Sequence, residues 1–371
     1  MNQDEQAALA DRVRGALMGA FIGDALALGP HWYYDLDQLH ADYGPWISDY
    51  TTPKPGRYHA GMKAGQLSQS GVLLRLTLQS LVDCGSYDEA DFCRRMDSEF
   101  FPLLNGEPMN GPGGYTSQSI REAWRKRIGA GLPWGQVAGN ADTTEAAERI
   151  LAIAIRYALQ PAELASAVTR NTVLTQTDGT VVAMTVAFGA VLGMLVEGQA
   201  MNASISGKLM ARVKSGELPF HAVTSGNLQA PQPGQAEAPT AGRFPSPDAL
   251  LSQSSIAMAA VDPDIRIEPA WKVSLVYGMP CAVYHQFPAA YYLAARFHDD
   301  FESAVLHAVN GGGQNQARAI LAGALAGAQT GLSGIPQRFL EGLENSGELL
   351  ELAGRLAKQM LPATAHSCVF P

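Results

Sequence analysis

Small residues crowd two helical stretches of this chain, and that crowding limits its fold more than any other feature. Gly and Ala recur through residues 183–193 and 319–328. Small side chains let helix backbones approach closely, so both stretches are expected near the centre of the molecule. Val13, Leu17, Ala20 and Asp24 fall at i, i+4, i+7 and i+11, on one face of one helix that ends in a carboxylate. Val72 to Val82 is leucine-rich, and Ala146, Ile150 and Ile153 form an apolar stripe. Glu145 and Arg149 beside that stripe are spaced for an i,i+4 ion pair. Ala162 to Ala167 follows a proline, which suits a helix start. Helical patterns also cover 181–196, 290–296, 301–309, 317–329 and 335–360. Alternating apolar and polar runs are scarce, so the expected class is all-α, a compact multi-helix fold.

With 371 residues the chain can bury a large core without disulfides or metals. It is 47% hydrophobic and only 16% charged, which argues against disorder. Lys plus Arg is 26 against 35 Asp plus Glu, a net charge of −9, so no nucleic-acid partner is expected. The opening MNQDEQAALADRVRG has neither a basic nor an apolar leader segment, so no signal peptide is expected. The apolar run Val181 to Val196, broken only by Thr185, reads as a buried helix rather than a membrane span. Cys84, Cys93, Cys281 and Cys368 are scattered without CxxC spacing. A reducing, cytoplasmic setting is the simplest fit, with Cys84 and Cys93 as small buried hydrophobes. Tyr50 to Gly65 reads as an ordered loop, and the Pro-, Gly- and Gln-rich stretch 225–247 as a surface insertion or flap. Helical patterns resume beyond it, so a single domain spanning 1–371 is expected.

Several segments, in order, carry a resemblance. Arg12, Gly15-Ala16-Leu17, Gly19 and Gly23-Asp24-Ala25-Leu26 are similar to the RxxGxxxGxxxGDAxG helix that opens the ADP-ribosylglycohydrolase superfamily. Thr175-Gln176-Thr177-Asp178 resembles that family's TH-D segment, and Asn310-Gly311-Gly312 with residues 322–328 resembles its late loop and GALAGA helix. Gly334-Ile335-Pro336-Gln337-Arg338-Phe339-Leu340 is similar to the family's IPxRWL. The segment Gly29 to Asp35, GPHWYYD, looks more like the branch containing the J-type lens crystallins. The resemblance implies an all-α fold and a hydrolase with two divalent metal ions, bound by an early TDDT and a late DxDT.

Here the matching positions read Ser68-Gln69-Ser70-Gly71 and Gln314-Asn315-Gln316-Ala317. Both acidic sets are neutral. Mg²⁺ needs hard, charged oxygen ligands, so no metal and no cofactor is expected, and Mg²⁺ enters only if these positions are misaligned. The replacements are polar. Gln66, Ser68, Gln69, Ser70, Asn310, Gln314, Asn315 and Gln316 would line a surviving cleft and recognise a sugar or nucleotide edge. In the other reading Ser68 or Ser70 caps a helix and residues 314–316 are solvated loop.

Asp24 is the first catalytic candidate, since a carboxylate on an apolar stripe points inward. It reads equally as a cap on a neighbouring helix. His31 and Asp35 would share a helix face as base and orienter, or sit in an aromatic plug with Trp32, Tyr33 and Tyr34. Asn140, Asp142 and Asp178 either line the cleft or begin their helices, with Asp142 or Thr143 as an N-cap. Two carboxylates can cleave a glycosidic bond without metal, and Asp24 with Asp35, Asp142 or Asp178 would supply the pair. Three functions stay open: a hydrolase of a ribosyl or N-glycosidic bond, a non-catalytic binder of a nucleotide or sugar such as ADP-ribose, and a crystallin-like structural protein.

Overall fold

The computed structural model describes residues 1–105, 117–219 and 248–361, so the stretch read as a flap (225–247) and Cys368 lie outside the described residues. Sixteen α-helices and no strands occur among the described residues. In chain order they are α1 Gln3–Ala27, α2 Leu36–Tyr43, α3 Gln69–Cys84, α4 Glu89–Arg95, α5 Gln118–Trp124, α6 Glu145–Arg156, α7 Pro161–Val173 and α8 Gly179–Val196. Then follow α9 Ile205–Ser215, α10 Asp248–Val261, α11 Val273–Tyr277, α12 Val283–Arg296, α13 Phe301–Asn310, α14 Asn315–Thr330, α15 Gln337–Gly342 and α16 Ser346–Met360.

The axis of the molecule is an antiparallel pair, α1 against α14. A Cβ placed on Gly15, Gly19 or Gly23 would overlap the carbonyl oxygen of Gly327, Gly323 or Ala319 respectively. These backbones touch, and only glycine permits it. From Gly15 to Ala27 in α1, and from Asn315 to Ala328 in α14, the helices are buried on every side rather than on one stripe. The two small-residue stretches therefore differ. The 319–328 stretch pairs with α1, while α8 packs beside α6 and α7. By length and composition α8 passes as a membrane span, but 78% of it is buried inside the protein, as a core helix is.

Loops gather where α1 ends and α3, α6, α8, α12 and α14 begin. Three isolated backbone bridges join them: Tyr33 with Gly313, Gly139 with Gln176, and Thr143 with Ala282. The Gln176 side chain adds a clamp. It accepts from the Ala146 amide and donates to the carbonyls of Ala141 and Thr143. Helix starts expose unpaired amides, so polar side chains gather there.

Two local expectations fail. Arg149 does not pair with Glu145, because its guanidinium donates to Asn171 Oδ1, the Asn171 carbonyl and Thr175 Oγ1. Cys84 is exposed at the end of α3, whereas Cys93 is buried.

Candidate functional site

The first half of the site is built on the start of α3. Ser68 is its N-cap, and its Oγ accepts from the Ser70 amide at 3.0 Å. That same hydroxyl donates to Asp24 Oδ1 at 2.5 Å, and the Ser68 amide donates to Oδ2 at 2.8 Å. Asp24 is fully buried, and a Cβ on Gly71 would overlap its carboxylate. Burial pushes the Asp24 carboxyl up to about 7, against the opposing pull of its bonds from Ser68 and Gly71.

Helix α6 brings two more carboxyls to the same place. Thr144, rather than Asp142 or Thr143, is its N-cap, but the Thr144 side chain makes no capping bond, and the Gln176 side chain takes the Ala146 amide. The two threonine hydroxyls serve the glutamates instead: Thr143 bonds Glu145, and Thr144 Oγ1 donates to Glu148 Oε1 at 2.6 Å. Ser119 Oγ donates to Glu145 Oε2 at 2.9 Å. Glu145 and Glu148 are buried. Burial raises both, and Glu148 reaches about 7, with the charge of Glu145, a lesser contribution from Asp24 and an opposing bond from Ser70. Gln69, Ser70, Ser117, Glu145, Glu148 and Arg149 line a cavity of about 10 Å³, room for one water. Next to it, Ser68, Gln69, Met62, Leu67 and Phe100 line a cavity of about 170 Å³.

The second half sits where the turn after α1 meets the start of α14. His31 Nδ1 bonds Asn315 Oδ1 at 3.3 Å, and the Asn315 amide donates to the carbonyls of Pro30 and Val309. Trp32 Nε1 donates to Gln314 Oε1 at 2.8 Å. Trp32 and His59 both hold left-handed backbones, with φ of 64° and 63°. Such residues are uncommon outside glycine and concentrate at functional sites. For Trp32 the strain is held by its amide bond to Gly313 and by Arg57, which donates to its carbonyl.

Of the residues singled out from sequence, Asp24, His31, Ser68, Gln69, Ser70, Gln314, Asn315 and Gln316 converge at this end of the molecule. Asp35 does not pair with His31. Helix α1 ends at Ala27, and Asp35 is an exposed N-cap of α2 that accepts from the Asp37 and Gln38 amides. Asp178 likewise caps α8, and Asn140 and Asp142 are exposed. Asn310 pins Ile47 through both its amide and its carbonyl, and Gln66 donates to Glu344. The carboxylate that meets Asp24 electrostatically is Glu148. Two glutamates three residues apart at the head of an otherwise alanine- and isoleucine-rich helix were the available signal. His59 lay in a loop with no periodic signal.

The ADP-ribosylglycohydrolase family profile matches residues 5–365. The chain belongs to this family. A solved structure described as an ADP-ribosylglycohydrolase-related protein complex superposes with a TM-score of 0.61 at 19% identity, covering 96% of this chain and 100% of that one. That likeness shows the shared all-α fold. No curated protein matches the chain.

The two divalent ions implied by the resemblance meet unsuitable donors here. Ser68 Oγ is committed to Asp24, Gln314 to Trp32, and Asn315 to His31 and two carbonyls. Among the described residues no group of three or more His, Cys, Asp or Glu is placed to hold a metal. The residues do not fit a dinuclear magnesium centre.

Proposed function

We propose that this chain takes a ribosyl-bearing small molecule, of which ADP-ribose is the first to try, into the cleft at the heads of α3 and α6. There it hydrolyses a glycosidic bond without magnesium. The observation that supports this is the pair of buried carboxyls, Asp24 and Glu148, both held near neutrality and linked through the Ser68–Ser70 turn. Glycoside cleavage needs one carboxyl that holds a proton and one that has lost it. Two interacting groups that titrate together supply that state around pH 7. Asp24 accepts from Ser68 and Gly71, which favours its ionised form. Glu148 stands beside a second carboxyl, which favours its protonated form. Glu148 is thus the proton donor to the leaving group, and the attacking water, held beside Ser68 in the neighbouring cavity, gives up its proton to ionised Asp24 by way of the Ser68 hydroxyl. Asp24 is a positioning residue that acts through Ser68.

The net charge of −9 favours a small molecule over a nucleic acid as partner. Free Cys84, Cys93 and Cys281 favour a reducing compartment such as the cytoplasm. The neutral amides at residues 314–316 support a second reading, a binder without turnover. The crystallin-like reading rests on the GPHWYYD segment alone.

Calorimetric titration with ADP-ribose, with and without Mg²⁺, separates these readings. Binding that ignores Mg²⁺, with turnover lost in Glu148→Gln, supports the hydrolase. Binding with no turnover of any ribosyl substrate leaves the binder. Binding only with Mg²⁺ overturns the metal-free cleft, and no binding at all favours a different ligand or a structural role.

A further inference from the structure

Arg149 is a buried cation that the carboxyl chemistry leaves unused, and its bonds settle where it points. Its Nε donates to Asn171 Oδ1 at 2.8 Å, and its Nη2 donates to the Asn171 carbonyl and to Thr175 Oγ1, each at 2.9 Å. A guanidinium is a rigid plane, so these bonds fix the direction of the remaining nitrogen. That nitrogen, Nη1, is buried and has no partner. Arg149 is 1% exposed. Burial draws its guanidinium down to about 10, which leaves it charged at neutral pH. Gln69 Nε2, at the head of α3, is also buried without a partner. Buried donors are rarely left unpaired in native proteins, so each calls for an explanation.

Both side chains line the same cavity of about 10 Å³, which Glu145 and Glu148 also line. It has room for one oxygen atom. The charges around it select which oxygen. Two carboxyls disfavour an anion, and the guanidinium disfavours a cation, so a neutral oxygen fits. A hydroxyl has one hydrogen to give and two lone pairs to fill. Arg149 Nη1 and Gln69 Nε2 supply two donors, and the glutamates supply an acceptor. Water satisfies the same groups, and a ligand hydroxyl that reproduces its bonds displaces it without loss.

Gln69 and Phe100 line this cavity and also the neighbouring one of about 170 Å³. A cavity of about 150 Å³ accepts benzene, so the larger space has room for one ring. Met62, Leu67, Val72 and Leu104 give it apolar walls, which suit the carbon face of a sugar.

We propose that Arg149 and Gln69 are specificity-determining residues that take one hydroxyl of a sugar ring into the water-sized cavity while the ring lies in the larger one. The ligand class is then a sugar with that hydroxyl intact, and its deoxy counterpart is rejected. This rests on the ribosyl reading of the cleft, though not on hydrolysis there. A site built to hydrogen-bond a hydroxyl rejects the analogue lacking it by about 10⁴–10⁵. Here a water can enter in place of the missing group, so the expected discrimination is lower, at least about a hundredfold.

The test titrates the full chain calorimetrically with ADP-ribose and with the 2-deoxy and 3-deoxy forms of its terminal ribose. One deoxy form should bind at least about a hundredfold more weakly, and the other as ADP-ribose does. Gln69→Leu removes a donor that bonds nothing within the protein. It should narrow the preference at least about tenfold, by weakening ADP-ribose and sparing the rejected deoxy form. A merely structural role would weaken all three ligands alike. Circular dichroism checks the fold of the variant, and a crystal structure of the wild type soaked with D-ribose decides if it is unfolded. Equal affinity for all three ligands, or a preference unchanged in folded Gln69→Leu, overturns the proposal and leaves the ribosyl reading standing. If ADP-ribose does not bind, that reading fails and the soaked crystal decides: a ribose oxygen bonded to Arg149 and Gln69 supports the hydroxyl site, and a cavity without one overturns it.

Discussion

The α1–α14 seam and the loop-lined end of the same two helices follow opposite rules. Along the seam, Gly15, Gly19 and Gly23 meet Gly327, Gly323 and Ala319 with no side chain between them. Nothing there titrates, and the contact is backbone on backbone. Where the seam ends, at Asp24 and Asn315, the same helices carry buried polar groups. Three carboxyls stay protonated more readily than usual, and two imidazoles stay neutral. The seam is stable because it excludes everything. The end of it holds groups whose burial opposes their charge, an arrangement that clusters at functional sites and also occurs in structural networks.

The largest expected effect breaks the seam. Gly19→Val drives a branched side chain into the Gly323 carbonyl, and urea unfolding should show a loss of about 3 kcal/mol or more, or no folding at all. A cost under about 1 kcal/mol would mean the helices can part without penalty.

The next effect reads the polar end through pH. The raised carboxyls of Asp24 and Glu148 contribute stability that is complete below their ordinary values and is lost as pH rises through about 7. The lowered imidazoles of His31 and His59 contribute stability present above their ordinary value and lost as pH falls, for His59 through about 4. Tm should therefore peak at about pH 5–6, below neutrality. Glu148→Gln, which cannot ionise, should be more stable than wild type at pH 8 by about 2 kcal/mol and should flatten the alkaline limb. An unchanged limb would show that Glu148 is already solvated.

A smaller effect separates capping from chemistry. Ser68→Ala removes the α3 cap and one partner of Asp24, and should cost about 1–2 kcal/mol in denaturant titration. It should also move the alkaline limb of the wild-type Tm profile, since the Asp24 carboxylate loses a donor. The smallest effect is that of millimolar Mg²⁺, which should shift Tm by less than about 1 °C because no specific site links it to folding. A clear saturable rise would show that Gln69, Ser70, Gln314 or Gln316 was misjudged as a ligand position.

Much of the fold was legible in residue pattern. The period of the apolar residues gave an all-helical chain, and Pro161 marked the start of α7. Short helices such as α2, α4 and α5 were not legible, because seven or eight residues hold too few turns to show a period. The site was half legible. Asp24, Ser68, Asn315 and Gln316 stood in recognisable segments, and Asp24 turned out to be both a cap and a buried acid. Asp35 and Asp178 are the N-caps of α2 and α8 and Asp142 is exposed, which the pattern could not decide, because a carboxylate before a helix looks the same whether it caps that helix or faces a cleft.

By itself the sequence determined the helical class, the family and the neutral character of residues 68–71 and 314–317, since these depend on residue identity and local spacing. Only the tertiary structure decided which buried groups share a site. Glu148 meets Asp24 across 124 positions of chain, and His59 meets Gln316 across 257. No local period encodes such meetings. Their protonation follows from burial and from the partner each ring or carboxyl finds, and both exist only once the helices have packed.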